Sequence, residues 1–161
     1  MSETQNLTKL GSNTTNYTYS EPSSDILECF SNLHPDVDYM VPLIMKDVEF
    51  SSLCPKTQQP DWAKIHIFYI PDKLMIESKS LKLYYTSFRN HGEFHEDCIN
   101  RILKDVYQTI KPKWIRVFGD FNDRGGIAIK PISQKFNPDF VDKKIDYQDL
   151  IKQLDDLLWM K

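Results

Sequence analysis

The succession of local patterns along this 161-residue chain predicts an α+β fold, an antiparallel sheet carrying helices on one face. Three observations carry the prediction. Ile65, Ile67 and Tyr69 alternate with Lys64, His66 and Phe68, the period of two of a half-buried strand. Two apolar stripes of helical spacing follow between Leu81 and Ile110. After Pro112 the strand pattern returns, and a last helical stretch comes near the end of the sequence.

Taken in order, residues 1–24 are rich in Ser, Thr and Asn and read as a flexible tail, with Leu10, Tyr17 and Tyr19 able to dock on the surface. Residues 25–161 read as a single domain. Residues 24–36 have room for a helical turn or two, ended by Pro35, and order is expected from about Tyr39. Residues 39–45 form a strand whose Pro42 demands an edge or a bulge. Residues 48–53 continue extended and deliver Cys54-Pro55 into a loop, which feeds the strand at 62–70. Pro71-Asp72 turns the chain into a short strand, Leu74-Met75-Ile76.

Leu81, Tyr84, Tyr85 and Phe88 then fall at i, i+3, i+4 and i+7, with Ser78 or Ser80 as N-cap and Asn90-His91-Gly92 as the stop. A second helix over 93–110 turns Phe94, Cys98, Ile99, Ile102, Leu103, Val106 and Ile110 inward, and Pro112 ends it. Residues 114–118 and 127–129 are strands joined through Asp123-Arg124-Gly125-Gly126. Leu150, Ile151, Leu154, Leu157 and Leu158 give 147–160 a helical spacing, and Trp159 closes either the core or an interface. A sheet covered on one side pairs through its edges, so an oligomer is expected.

Composition narrows the function. With 40% hydrophobic and 12% aromatic residues the chain can build its own core. The 20 basic against 23 acidic residues lack the excess of a dedicated nucleic-acid binder. No apolar run approaches the roughly 20 residues of a membrane span, and no signal peptide is expected at the start. Cys29, Cys54 and Cys98 are odd in number and widely spaced, which is no disulfide framework. A soluble, reducing, cytoplasmic setting follows as the expectation. Secreted scaffold, collagen, coiled coil and channel are excluded.

Few residues could carry chemistry. Cys54 lies in Ser51-Ser52-Leu53-Cys54-Pro55-Lys56-Thr57, a polar loop beside a lysine, which suits an ionised nucleophile better than a core filler; a metal ligand or a plain loop residue are the alternatives. Asp61, seven residues on, is a proton donor if the loop folds back, or simply a strand-start aspartate. His95-Glu96 opens a helix, where a carboxylate also serves the macrodipole. His95, Cys98 and Cys54 form a conceivable zinc set. Glu77-Ser78-Lys79-Ser80-Leu81-Lys82 is either a capped helix start or an anion site built on free N–H groups and lysines. Arg124-Gly125-Gly126 is either a hairpin turn or a cation aimed at a phosphate.

In combination these segments resemble the NADPH-dependent 7-cyano-7-deazaguanine reductases of queuosine biosynthesis. The resemblance rests on Glu77-Ser78-Lys79-Ser80-Leu81-Lys82-Leu83-Tyr84, Ser51-Ser52-Leu53-Cys54-Pro55-Lys56-Thr57, Pro60-Asp61, Ser87-Phe88-Arg89-Asn90-His91, Phe94-His95-Glu96-Asp97-Cys98 and Arg124-Gly125-Gly126. It covers about residues 38–131 in the short, single-module form. It implies a tunnelling fold: a four-stranded antiparallel sheet with two helices on one face, joined edge to edge into a ring, a decamer of two pentamers, with sites between subunits. It implies a four-electron reduction of a nitrile to a primary amine through a cysteine thioimide, without a metal. Cys54 would be the nucleophile, Asp61 the proton donor and His95 its assistant. Ile76, Glu77, Ser78, His95 and Glu96 would hold the deazapurine, and Lys79, Lys82 and Arg124 the NADPH phosphates. The absence of GxGxxG fits a cofactor bound at an interface. No direct nucleic-acid or membrane partner is implied. A zinc hydrolase of a purine or pterin on the same fold, and a non-catalytic purine-binding ring protein, are the alternatives.

Overall fold

A computed structural model describes residues 17–159. Leu10 lies outside the described residues, as do the side chains of Leu157, Leu158 and Trp159. The chain is ordered well before Tyr39. Ser23 caps a 3-10 turn at Ser24–Ile26, and β1 (Cys29–Ser31) follows. This strand escaped the sequence pattern because three residues are too few to show a period. It pairs antiparallel with β5 (Leu74–Ile76) as a separate two-stranded ribbon.

The main sheet is antiparallel and is built on β4 (Pro60–Ile70). One flank of β4 pairs with β6 (Trp114–Phe121), which pairs in turn with β7 (Ile132–Phe136). Its other flank is shared by two short strands. β3 (Phe50–Leu53) pairs with residues 60–63 and β2 (Val41–Ile44) with residues 66–69. Five strands therefore occupy four positions. Pro42 sits in edge strand β2, as its missing N–H requires.

The last strand is not the one the pattern suggested. Residues 127–129 form no strand; Arg124 and Ile127 close a tight turn through N–H···O bonds of 3.1 Å in both directions. Gly125 and Gly126 take positive φ there (59° and 77°), the conformation of a hairpin tip. The strand that returns along β6 is β7, and its largely exposed residues hide it from a hydrophobicity pattern.

α1 (Ser78–Thr86) and α2 (His95–Ile110) lie on one face of the sheet. Ile65, Ile67, Tyr69, Ile115, Val117 and Phe121 point to that face and pack with Leu81, Tyr84, Phe88, Ile99, Ile102 and Val106. The N-cap of α1 is Glu77, not a serine: its carboxylate accepts the N–H groups of Lys79 (2.8 Å) and Ser80 (2.7 Å). α2 begins two residues later than the stripe implied. Its Phe94 is half exposed instead of inward, and His95 is buried in its place. Tyr84 donates to Asp105 at 2.6 Å and ties the two helices together.

α3 (Lys144–Trp159) contradicts the expectation that the helices share one face. Tyr147, Ile151 and Leu154 bury with Phe68, Ile70 and Trp114, which alternate with the core-facing residues of β4 and β6 and so project from the opposite side. Lys113, 4% exposed, anchors this second core through Asp38 (2.6 Å). No helix among the described residues is long and apolar enough to cross a membrane.

Gly119 lets α2 lie close on the sheet. A Cβ there would meet Ile99 Cδ1 at 2.7 Å and Phe121 Cε2 at 2.8 Å. Gly119→Ala is expected to cost about 1–3 kcal/mol by overpacking, read as a lower denaturation midpoint with an unchanged m-value.

Candidate functional site

The site begins with the turn that joins β3 to β4. Cys54 N–H donates to Gln59 O (2.9 Å) and Gln58 N–H to Cys54 O (2.9 Å), closing a tight loop in which Gln58 takes φ 58°. Residues 91–93 run beside the end of β3: Leu53 N–H donates to His91 O (2.9 Å) and Glu93 N–H to Leu53 O (3.0 Å). This brings the head of α2 to the Cys54 loop. The β3–β4 register sets Ser52 opposite Asp61, and Ala63 stands between Phe50 and Phe121 on the two flanks of β4. Residues 61 and 63 of a strand share a face, so Asp61 points under α2.

Cys54, Asp61, His95 and Arg124 converge there. His95, buried, stacks on Phe121 with ring centroids 4.0 Å apart and 10° between planes, and its Nε2 lies 3.1 Å from Asp61 Oδ2. Arg124 reaches over from the turn after β6. Its Nη1 is 3.1 Å from Asp61 Oδ1 and donates to Oδ2 at 3.3 Å. The Asp61 carboxylate is thus held between an imidazole and a guanidinium with 2% of its side chain exposed.

The Cys54 thiol is lowered to about 6. Its largest cause is a hydrogen bond from the Thr57 hydroxyl, followed by the backbone N–H groups of Thr57 and Lys56, with a smaller one from Arg124; burial opposes them. At neutral pH such a group is largely thiolate and available as a nucleophile. Cys98 is the opposite case: burial pushes its thiol up to about 12, as suits a core residue. Among the described residues no three His, Cys, Asp or Glu side chains are arranged to hold a metal ion, so His95, Cys98 and Cys54 are not assembled as ligands.

The remaining candidates divide. Glu96 is exposed on the first turn of α2, next to the half-exposed Phe94. Ile76, Glu77, Ser78 and Lys79 lie at the other end of α1, whose nine residues span about 13 Å, and Lys82 lies at its middle. Glu77 is buried and occupied as the cap, so the first N–H groups of α1 are not free for an anion. Ser78 and Lys82, with Arg89, flank an open groove of about 330 Å³ floored by Leu43, Ile65, Leu81 and Tyr85. Arg124, read from the sequence as a phosphate partner, reaches the Asp61 carboxylate and the Cys54 thiol.

Sequence reasoning missed Thr57, Phe94 and Ser52. Thr57 follows Cys54 by three residues in a polar loop, the spacing at which a side chain folds back over a turn. An apolar residue at a helix start carries no comparable signal.

The scaffold defines a class. The protein described as the archaeosine synthase QueF-Like, in its apo crystal structure, superposes with a TM-score of 0.51 at 18% identity, over 62% of this chain and 91% of that one, which shows a shared fold. The family model described as QueF-like protein matches residues 60–140. More particularly, the chain is 56% identical over 129 residues to the NADPH-dependent 7-cyano-7-deazaguanine reductase of Alkaliphilus metalliredigens, covering 80% of this chain and 76% of that one. It is 54% identical over 131 residues to the enzyme of that name from Neisseria meningitidis (81% and 82% covered) and 52% identical over 137 residues to that of Bacillus subtilis (85% and 81%). The chain belongs to the NADPH-dependent 7-cyano-7-deazaguanine reductase family.

Thr57→Val removes the hydroxyl donor while keeping the branched shape. The midpoint of Cys54 alkylation by iodoacetamide against pH is expected to rise from about 6 toward the ordinary thiol value of about 8.5. An unmoved midpoint would remove Thr57 from the site.

Proposed function

We propose that this chain reduces the nitrile of 7-cyano-7-deazaguanine to the primary amine of 7-aminomethyl-7-deazaguanine, a step in queuosine biosynthesis, at the expense of two NADPH. The observation that carries the reading is the Cys54 thiolate and the buried Asp61 carboxyl, both reached by the same Arg124 side chain. A nitrile carbon accepts hydride poorly. Cys54 Sγ adds to it, one C≡N π bond opens, and Asp61 delivers a proton to the nitrogen to give a thioimide. NADPH supplies the two hydrides. After the first, the thiohemiaminal expels the Cys54 thiolate and leaves an imine; the second yields the amine. His95, 3.1 Å from Asp61, is placed to return protons to it between steps.

Recognition falls to flat and charged surfaces. Glu96 accepts the two N–H groups of the amidine-like edge of the base, and the exposed ring of Phe94 gives it a stacking plane. Ile76, Glu77 and Ser78 are assigned to the same ligand, with Glu77 acting as the cap that shapes the segment. Lys82, with Lys79 beside it on α1, and Arg89 are suited by charge to hold the cofactor phosphates at the groove.

Residues 76–79 and 91–96 of one chain are separated by the length of α1, which supports a site shared between two subunits. Among the described residues the outer edges of β2 and β7 carry no strand. Edge-to-edge pairing of these strands in a tunnelling-fold ring, two pentamers face to face, would cover them. Residues 25–161 then act as one catalytic domain, working in the cytoplasm on a free base, without direct contact to nucleic acid or membrane.

Absorbance at 340 nm is expected to fall by two NADPH per substrate in chelator-treated protein. Cys54→Ala should abolish the substrate-derived mass adduct and lower turnover at least about 10³-fold with assembly size unchanged; a substrate mass on Cys54→Ala protein would falsify the nucleophile. Glu96→Ala should weaken substrate binding about 10- to 100-fold through loss of a charge-assisted pair. Unchanged affinity would free Glu96 of that role.

A further inference from the structure

Arg124 stands where it obstructs the chemistry assigned to Asp61. One of its nitrogens touches both carboxyl oxygens, at 3.1 and 3.3 Å, and these are the atoms from which a proton would have to leave. A guanidinium cannot lose a proton in a protein, so it supplies none. While it stays, a proton placed on either oxygen faces a full positive charge a few ångströms away. It also occupies the donor's approach to an incoming nitrogen. We propose that Arg124 is a two-position residue that rests on Asp61 in the free enzyme and is drawn off by an anion of the phosphate class, which frees Asp61 to protonate the substrate nitrogen.

This inference rests on the function proposed above. Its mechanical basis is the turn that carries Arg124. Gly125 and Gly126 form the tip at positive φ, and nothing lies within 4 Å of where their Cβ atoms would be. The turn is closed by its own two hydrogen bonds, between Arg124 and Ile127, and the Arg124 side chain is 39% exposed. It can therefore swing without unpacking a core. Asp61, by contrast, is fixed on β4 under His95, with Ser52 opposite on β3 and Cys98 nearby on α2. Cys54 keeps its own donors in Thr57 and Lys56, so its thiolate does not depend chiefly on the arginine.

The step that is gated balances as follows. Cys54–S⁻ attacks the nitrile carbon, forming a C–S bond. Once the guanidinium has left, the Asp61 carboxylate takes up a proton from solvent, relayed by His95 at 3.1 Å. The opened π pair takes that proton and becomes N–H, and Asp61 is left as carboxylate again. No oxidant or reductant takes part, so the step is measurable without NADPH. An anion bound at the swung-out guanidinium speeds adduct formation, although it touches neither the nitrile nor the thiol.

The test uses the assembled enzyme with 7-cyano-7-deazaguanine and no NADPH, following the covalent adduct by rapid-quench intact mass from pH 6 to 8.5. Adenosine 2′,5′-bisphosphate is the anion probe, since it offers phosphates and no hydride. The wild type is expected to form adduct several-fold faster with the probe present. Arg124→Gln should lose the response to the probe, whatever its own basal rate, and Arg124→Lys should keep part of it. A wild-type rate indifferent to the probe, or an Arg124→Gln protein that still responds, would overturn the two-position role while leaving the nitrile chemistry standing. Absence of any wild-type adduct on Cys54 would overturn both.

Discussion

The register of β3 against β4 is the constraint on which the site depends. Leu53 faces Pro60 and Ser52 faces Asp61, and the turn between them closes through Cys54 N–H and Gln59 O. That pairing sets how far the sulfur stands from the carboxyl. A slip of one residue would turn Asp61 to the opposite face, where Trp62 and Lys64 now project, away from His95 and Arg124. The register of β6 on the other flank completes the arrangement, because it brings Phe121 beside Ala63 as the platform on which His95 lies flat. The two pairings share one long strand, so the Cys54 thiol, the Asp61 carboxyl and the His95 imidazole are referred to a single rigid element.

Much of this was legible in the sequence where burial imposes a period. The alternation of Ile65, Ile67 and Tyr69 and the stripe from Cys98 to Ile110 reappear as β4 and α2 with nearly the boundaries expected. Patterns failed where burial is weak or local chemistry decides. β7 exposes most of its residues and β1 has only three, so neither carries a period. A glutamate took the cap of α1 because, at 5% exposure, its carboxylate needs the two N–H groups as much as they need it. The clustering of Cys54, Asp61 and His95 could be suspected from motifs. The placement of Arg124 against Asp61 could not, since it depends on how far a hairpin tip reaches.

Buried polar groups are satisfied unevenly in both cores. Under α3, Lys113 meets Asp38 at 2.6 Å and also donates to Pro35 O at 3.2 Å, so a cation buried away from the site is well satisfied. In the same core Trp114 Nε1 is buried without a hydrogen-bond partner among the described residues, and under α2 the accounting is looser as well. Ser52 Oγ and both His95 nitrogens are buried without a well-aligned hydrogen bond among the described residues. Native proteins rarely leave such groups unpaired.

The divided flank of β4 has a consequence for how the molecule opens. Because β2 and β3 are separate strands on the same edge, the hydrogen bonds of one can break without those of the other. The outer half of the edge can fray, exchange its amides or take on a neighbouring strand while the inner half keeps the cysteine turn in register. The rim and the cysteine turn thereby share one strand as a common axle yet answer to different local stabilities, so a disturbance at the rim need not reach the thiol.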